Sequence, residues 1–312
     1  MTTSRLFTYL MLFMVGGLLS CSDHPIQPLV TPGSAANRLR VKTLTLDLPN
    51  NQAKVSSFRY DGQGRLSQIL TYQTPDSAVS TIEYNNYTYD GQNRLTGLRR
   101  EVVLYPRGSG PNSIDQYTYI YNAAGQVSGL NRSNSFSLTF TYNGANQLVS
   151  SSRFYGIAGL SVTGFNSFTF TGNNLTSVSD RRNIPLRSGS DPNATRVDIY
   201  THDDKINPFY GVYLIPAPYP IGNAGAADMV RTYFGGIDNF LNLSRNNVLT
   251  QQSTITTDYF FPTPSSTSYT ESSVYQYQYN VANLPIVRTK TSTTSLNNTV
   301  AVETLHFEYE SY

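Results

Sequence analysis

The chain has no tryptophan, a single cysteine and few charges, and each of these shortages excludes something. With one Cys among 312 residues, no intramolecular disulfide can form. Charged residues make up only 13% of the chain, against roughly 25% in an average soluble domain. A formal net charge of +2 is too small to favour nucleic acid as a partner. The polar surface must therefore come from the abundant Ser, Thr, Asn and Gln.

The N-terminus has the anatomy of an export signal. A short segment with one positive charge precedes the apolar run LFTYLMLFMVGGLL. Those fourteen residues are too few to cross a hydrocarbon core as a helix, which takes about 20. The run is followed by Leu18-Leu19-Ser20-Cys21, which resembles the lipobox of bacterial lipoproteins. We therefore expect a signal peptide over 1–20 and acylation of Cys21. The alternative is an ordinary cleaved signal.

The residues after Cys21 predict a flexible tether over 21–36, because Pro, Gly and small residues occur there without periodicity. Several acyl chains on Cys21 would hold the protein stably on a membrane. Ser22, rather than Asp, follows the Cys, and by resemblance to lipoprotein sorting rules this favours the outer membrane. Whether the protein faces the periplasm or the cell surface stays open.

One hairpin pattern recurs along the rest of the chain. Its copies are FRYDGQGRL (58–66), YTYDGQNRL (87–95), YIYNAAGQV (119–127), FTYNGANQL (140–148), FTFTGNNLTSV (168–178), YQYNVANLPIV and a terminal FEYESY (307–312). An aromatic-x-aromatic pair places two rings on the same face of a strand. The Asp or Asn that follows, often with Gly after it, predicts a tight turn, since both residues tolerate positive φ.

The return strand of each unit starts at an apolar residue and often has another three places later, at Ile69, Leu98 and Leu130. This spacing breaks the alternation of a strand and predicts a bulge. One unit cannot bury its aromatic face alone, so stacked copies must share a core. The sequence predicts a mainly all-β fold, an antiparallel meander that forms a curved sheet or a partly closed barrel. A single domain over 37–312 is expected, with one short helical insertion at about 222–242.

The motif aromatic-x-Tyr-Asp-x-x-Gly-Arg-Leu resembles the YD repeats of RHS-type proteins and of small secreted lipoproteins. The resemblance covers roughly 55–180 and 275–312, and the first two copies match best. RHS-type proteins build long β-shells. This resemblance therefore implies a repeat-built β structure and says almost nothing about a ligand.

Residues that could carry chemistry are sparse. His202, Asp203 and Asp204 are adjacent and offer nitrogen and oxygen ligands for a metal, but a turn before Asn207-Pro208 explains them as well. No zinc spacing and no nucleophile motif is present, so no cofactor is expected. Tyrosines in the irregular segment, Tyr210, Tyr213 and Tyr219, are candidates for stacking on sugar rings.

Three functions follow as hypotheses. The first is a non-catalytic envelope scaffold, lipid-anchored at Cys21, that binds a glycan or a protein. The second is a metal-dependent hydrolase using the segment from His202 to Asp204. The third is an assembly protein that recruits a partner through exposed strand edges.

Overall fold

The computed structural model describes residues 33–34, 39–132, 136–157, 160–183, 193–212, 240–260 and 263–312. Nearly all of them lie in antiparallel strands. The strands are β1 (Gly33–Ser34), β2 (Leu39–Leu48), β3 (Gln52–Tyr60), β4 (Leu66–Thr74), β5 (Thr81–Tyr89), β6 (Leu95–Leu104), β7 (Ser113–Tyr121), β8 (Val127–Arg132), β9 (Phe136–Tyr142), β10 (Leu148–Ile157), β11 (Leu160–Thr171), β12 (Asn174–Asn183), β13 (Asn193–Ile206), β14 (Asn246–Tyr259), β15 (Ser265–Tyr279), β16 (Pro285–Thr294) and β17 (Val300–Ser311). Two short 3-10 helices, Asp76–Ala78 and Phe240–Leu243, complete the described elements.

Strands β2 to β17 form a closed antiparallel barrel of sixteen strands. Each strand pairs with its neighbours in sequence, and the ring closes where β17 pairs with β2. The two-residue β1 pairs with the start of β2. The predicted all-β meander is therefore confirmed, and of the two forms left open the structure has the closed one. Of the predicted helical insertion at about 222–242, residues 222–239 lie outside the described residues, and 240–242 belong to the 3-10 helix Phe240–Leu243.

The inner face of the barrel is apolar, and the repeat motif explains why. In β9, for example, Phe136, Leu138 and Phe140 are buried while Ser137, Thr139 and Thr141 alternate with them on the outer face. In four motif copies, those that begin at Phe58, Tyr87, Tyr119 and Phe168, the first ring and two apolar residues of the return strand belong to one buried cluster. The predicted bulge is present in each clear copy: Tyr60 pairs with Leu66 but Arg59 pairs with Gln68. The bulge turns both Leu66 and Ile69 inward.

Five hairpin turns are built around the acidic or amide side chain of the motif, at Asp61, Asp90, Asn122, Asn143 and Asn280. Oδ1 of Asp61 accepts hydrogen bonds from the backbone N–H groups of Gln63 and Arg65, each at 2.9 Å, and Oδ2 accepts one from Nε of Arg65 at 2.7 Å. The positive φ does not lie at the glycine that follows the Asp, as the sequence suggested. It lies at the residue before Arg65, which is Gly64 with φ +80. This is a three-residue loop ending in a left-handed residue.

Neighbouring units are tied together by the second ring of the motif. The hydroxyl of Tyr89 donates to the carbonyl oxygen of Leu66 at 2.6 Å, and the guanidinium of Arg65 lies 4.4 Å from the centroid of the same ring. The same carbonyl contact is made in four other units, by Tyr60 with Val41, Tyr121 with Leu95, Tyr142 with Val127 and Tyr309 with Pro285. Each tyrosine thus bonds to the start of the return strand in the unit before it.

The seam between β17 and β2 is one such unit in two pieces. Glu310 takes the place of Asp61 and Arg40 the place of Arg65, with Arg40 Nε donating to Glu310 Oε1 at 2.7 Å. The guanidinium of Arg40 lies 3.9 Å from the centroid of the Tyr60 ring, as Arg65 does over Tyr89. The bulge recurs as well, since Tyr309 pairs with Val41 and Glu308 with Thr43. Sixteen strands taken in pairs make eight units, and the eighth joins strands 270 residues apart.

Polar residues form a second layer inside the barrel. We call the end that carries turns such as 61–65 and 90–94 the turn end, and the opposite end, with loops 75–80 and 105–112, the loop end. On the loop-end side of the apolar cluster lie buried ion pairs, including Arg100 with Glu83 at 2.9 Å and Arg153 with Asp180 at 2.8 Å. Because burial disfavours charge, it raises the pKa of Asp180 despite its arginine partners.

Alanine substitutions at Gly62 and Gly64 test which of the two glycines in the turn requires a positive φ. Gly64→Ala is expected to lower the free energy of unfolding by roughly 1–2 kcal/mol, because an L side chain is strained at positive φ. Gly62→Ala is the matched control, since a Cβ there meets no atom within 4 Å. Gly64→Asn should be milder, since Asn occupies the same place at Asn93 and Asn146. Urea unfolding measures all three, and equal losses at Gly62 and Gly64 would contradict this turn geometry.

A circular permutant checks the split unit. Joining Tyr312 to Arg40 through one glycine places three residues between Glu310 and Arg40, as between Asp61 and Arg65. With new ends between the exposed Asn297 and Asn298, this chain should fold to the same barrel. A version joined through leucine should be less stable by roughly 1–2 kcal/mol, since that position needs positive φ. Failure of both versions to fold would refute the assignment.

Candidate binding site on the outer wall

The segment from His202 to Asp204 lies in β13, at a bulge rather than at a turn. The pairing with β14 is irregular there, since His202 pairs with Val248 and Ile206 with Asn246. Its three side chains do not converge. Nε2 of His202 lies 3.0 Å from Oγ of Ser244, while the Asp204 carboxylate points to solvent with 83% of its side chain exposed.

Asp203 ties three backbone segments together. Its carboxylate accepts hydrogen bonds from the backbone N–H of Asn247 at 3.1 Å, from that of Lys205 at 2.9 Å and from the hydroxyl of Tyr279. In the described part of the chain, no group of three or more His, Cys, Asp or Glu side chains is placed to hold a metal ion. The observed contacts of this segment are those of a structural joint.

That joint holds a segment that folds over the turn end. We call residues 207–212 and 240–245 the end cap. Its two pieces are bonded to each other, for instance by Gly211 N–H to the carbonyl of Asn242 at 2.7 Å. Phe209 is buried, and its ring centroid lies 6.1 Å from that of Phe58 on the inner wall. Ser244 Oγ accepts the N–H of Leu175 at 3.0 Å, which attaches the cap to β12.

Of the tyrosines proposed to stack on sugars, Tyr210 lies half-buried in the end cap, where burial raises the pKa of its hydroxyl. Tyr213 and Tyr219 lie outside the described residues, as does Cys21. The structure brings a different set of tyrosines together.

Tyr72, Tyr84 and Tyr105 line a groove on the outer wall near the loop end. We call it the tyrosine groove. Tyr72 and Tyr84 project outward because they stand out of step with the buried residues Thr71 and Glu83 on β4 and β5. Tyr105 follows β6 and is 43% exposed. The groove consists of two adjoining clefts of ≈ 250 Å³ and ≈ 430 Å³, and Tyr84 lines both.

Two loops that are bonded to each other border the groove at the loop end. The backbone N–H of Tyr105 donates to the carbonyl of Ser80 at 2.8 Å, which joins the β6–β7 loop to the β4–β5 loop. Gln73 Oε1 accepts hydrogen bonds from the N–H and the hydroxyl of Ser80, at 3.0 and 2.9 Å. The rings therefore stand on strands and braced loops, so a ligand would meet a largely preformed surface.

Polar side chains run across the strands beside the rings. Register places Tyr84 between Leu70 and Glu101, and Asn86 between Gln68 and Arg99. Glu101 accepts from Arg99 at 2.6 Å and from Asn112 at 2.9 Å, and the hydrogen bond from Arg99 is the main cause that lowers its pKa. A carboxylate held ionised in this way is a poor general acid. Among the described residues that line the groove, no nucleophile is paired with a base.

The alternation of side chains along β5 could have predicted that Tyr84 faces outward. In STIEYNNYTYD, Tyr87 and Tyr89 share one parity with the repeat, while Tyr84 has the other. Since the motif rings face the core, a tyrosine of opposite parity must face out.

Comparisons with known proteins give matches among solved structures. A scan against protein-family models and a search of curated proteins found none. Among solved structures, a porin-like protein from Bacteroides uniformis is 11% identical over 89% of this chain and 99% of its own, with a TM-score of 0.48. A porin-like protein from Bacteroides vulgatus is 12% identical over 86% of this chain and 98% of its own, with a TM-score of 0.32.

A TcdB2-TccC3 structure is 13% identical over 78% of this chain, with a TM-score of 0.26, and the match spans 14% of that chain. At these TM-scores and identities, the likenesses carry no argument about what the chain does. No helix in the described part of the chain is long and apolar enough to cross a membrane.

Acid should loosen the joint at the end cap. Burial lowers the pKa of His202 below its ordinary 6.5, so the folded state favours the neutral ring. The stability that this preference contributes is full above pH 6.5 and is lost as the pH falls through the lowered pKa. His202→Asn should reduce this loss. Urea unfolding from pH 7.5 down to about 5 measures it; a slope that His202→Asn leaves unchanged would contradict the assignment.

Proposed function

We propose that this chain is a non-catalytic binding protein of the cell envelope, held on the outer membrane by acyl chains on Cys21. In this proposal the barrel stands in water, and the ligand binds in the tyrosine groove on its outer wall. A relationship to YD-repeat lipoproteins is part of the proposal, supported by the repeated contacts of Asp61, Arg65 and Tyr89.

The observation that carries the proposal is which face of the barrel wall is apolar. A membrane-spanning barrel presents an apolar band about 25 Å tall to lipid and keeps its polar residues inside. Here the described strands do the reverse: the inner face is apolar and ion-paired. The outer face is rich in Ser, Thr and Gln, as in Gln252, Thr254 and Thr256 of β14. Such a wall suits water, so attachment to a membrane requires a separate anchor.

The other two hypotheses have less support. A metal-dependent hydrolase would need His202, Asp203 and Asp204 to converge, and their side chains engage separate partners. Recruitment through a strand edge would need an unpaired edge. Because β2 to β17 pair in a ring, the described strands of the barrel offer none.

Cleavage of the predicted tether tests the proposal. A site for a specific protease is inserted between residues 31 and 32 of the full-length protein, and washed outer membranes are treated with the protease. The barrel is expected in the soluble fraction after cleavage, while protein without the site stays in the membrane. Metabolic labelling with palmitate should mark the wild type and spare Cys21→Ala. A cleaved barrel that remains in the membrane would overturn the water-exposed wall, and label on Cys21→Ala would overturn the anchor.

A further inference from the structure

We propose that the tyrosine groove binds an uncharged oligosaccharide, with one pyranose ring stacked on Tyr84. The proposal rests on the function above in that it takes the outer wall as the binding surface. It adds the chemical class of the ligand and the residue on which binding depends.

The first argument is the position of three aromatic rings outside the core, two of them half-buried and Tyr105 43% exposed. Buried aromatic side chains supply much of the core energy of this fold, yet Tyr72, Tyr84 and Tyr105 gather on the water-facing side. Their neighbours on the outer wall include Leu70 and Ile82, so the floor of the groove is apolar. A sugar ring carries C–H groups on one face, and that face packs on an aromatic ring while the hydroxyls at its rim remain free for hydrogen bonds.

The second argument is the polar row beside the rings. Gln68, Asn86, Arg99 and Gln116 occupy matching register positions on β4, β5, β6 and β7. Amide and guanidinium groups are planar and present two polar atoms in a fixed geometry. Such groups match the neighbouring hydroxyls of a pyranose. Gln68 Nε2 already donates to Asn86 Oδ1 at 2.8 Å, so this pair is oriented before a ligand arrives.

The charges around the groove favour uncharged saccharides over acidic ones. Four charged side chains line or border the groove: Arg99 and Arg107 are positive, and Asp76 and Glu101 are negative. Arg99 and Glu101 are paired with each other at 2.6 Å. The groove therefore carries no net charge, and nothing in it would attract a polyanion such as an acidic polysaccharide.

Size favours more than one sugar ring. The two clefts, ≈ 250 Å³ and ≈ 430 Å³, adjoin at Tyr84 and are open to solvent. Small-molecule sites occupy roughly 300–1,000 Å³, so the joined groove exceeds the need of a small fragment. A chain of sugars crossing Tyr84 would occupy both clefts.

A peptide is the less fitting occupant. Extended peptides gain affinity mainly from backbone hydrogen bonds to a sheet edge. Along the row of Gln68, Asn86 and Arg99, β4, β5 and β6 each pair on both sides, so their backbone groups are already used there. The pairing of β4 with β5 ends at Thr71 and Glu83. A ligand along the row therefore meets side chains, as a saccharide does.

The groove also faces the right way for capture. It lies near the loop end, whereas β2 begins at the turn end, next to the last residues of β17. A chain anchored through the residues before β2 would therefore hold the turn end towards the membrane and present the groove away from it.

Isothermal titration of the detergent-solubilised full-length protein tests this proposal. The probes are cellohexaose, chitohexaose and xylohexaose as uncharged chains and hexagalacturonate as an acidic one. At least one uncharged hexasaccharide should bind the wild type. Tyr84→Ala should weaken that binding by about tenfold or more, and Tyr84→Phe, which keeps the ring, by no more than about threefold. The control Phe165→Ala removes an outer-wall ring that is 50% exposed on β11 and should leave affinity unchanged.

Thermal unfolding followed by circular dichroism establishes that each variant is folded, and Tyr105→Ala in the exposed loop replaces Tyr84→Ala if the latter does not fold. The proposal is overturned by any of four results: no uncharged chain binds, only hexagalacturonate binds, Tyr84→Ala binds as well as the wild type, or a peptide array yields a ligand that competes at Tyr84 in place of sugar. None of these results depends on tether cleavage, so failure here and failure of the anchor are distinguishable.

Discussion

The fold depends on the bond between the second tyrosine of one hairpin and the backbone of the hairpin before it. Tyr89 reaches Leu66, Tyr121 reaches Leu95 and Tyr142 reaches Val127, so each turn is held by its neighbour. An isolated hairpin is marginal in water. The tyrosine bond, with the arginine beside its ring, converts such hairpins into a wall in which each supports the next. A wall of this kind has a natural end state, which is closure on itself.

Because the barrel is closed and the repeat directs its apolar residues inward, side chains on the outer face do not pack in the core. Their identity can therefore reflect function. Polar side chains share the outer face with exposed apolar residues such as Ile120, Phe165 and Ile199. The groove is distinguished by three tyrosines from separate parts of the chain that line one cleft. His202 and Asp203 serve the fold, since their partners are Ser244 of the end cap and Asn247 and Tyr279 of the neighbouring strands.

Much of this architecture was readable in the sequence, because local geometry determines it. The spacing of Tyr60, Leu66 and Ile69 predicted the hairpin and its bulge. What sequence could not supply were the long-range consequences: whether the sheet closes depends on the accumulated twist of all units. The positive φ at Gly64 instead of Gly62 follows from the loop length, which the Asp-Gly pair concealed. The tyrosine groove was missed because Tyr72 and Tyr84 come from two strands and Tyr105 from a loop, and they meet only in the folded wall.

The unit formed by β17 and β2 closes the barrel, and its two strands lie at opposite ends of the described sequence. Arg40 is synthesised early, and its partner Glu310 follows 270 positions later. Until β17 is in place, β2 and β16 are each open along one side and free to pair with other chains. The barrel can therefore close only after the last strand has been synthesised, and strand pairing within the rest of the wall must precede closure.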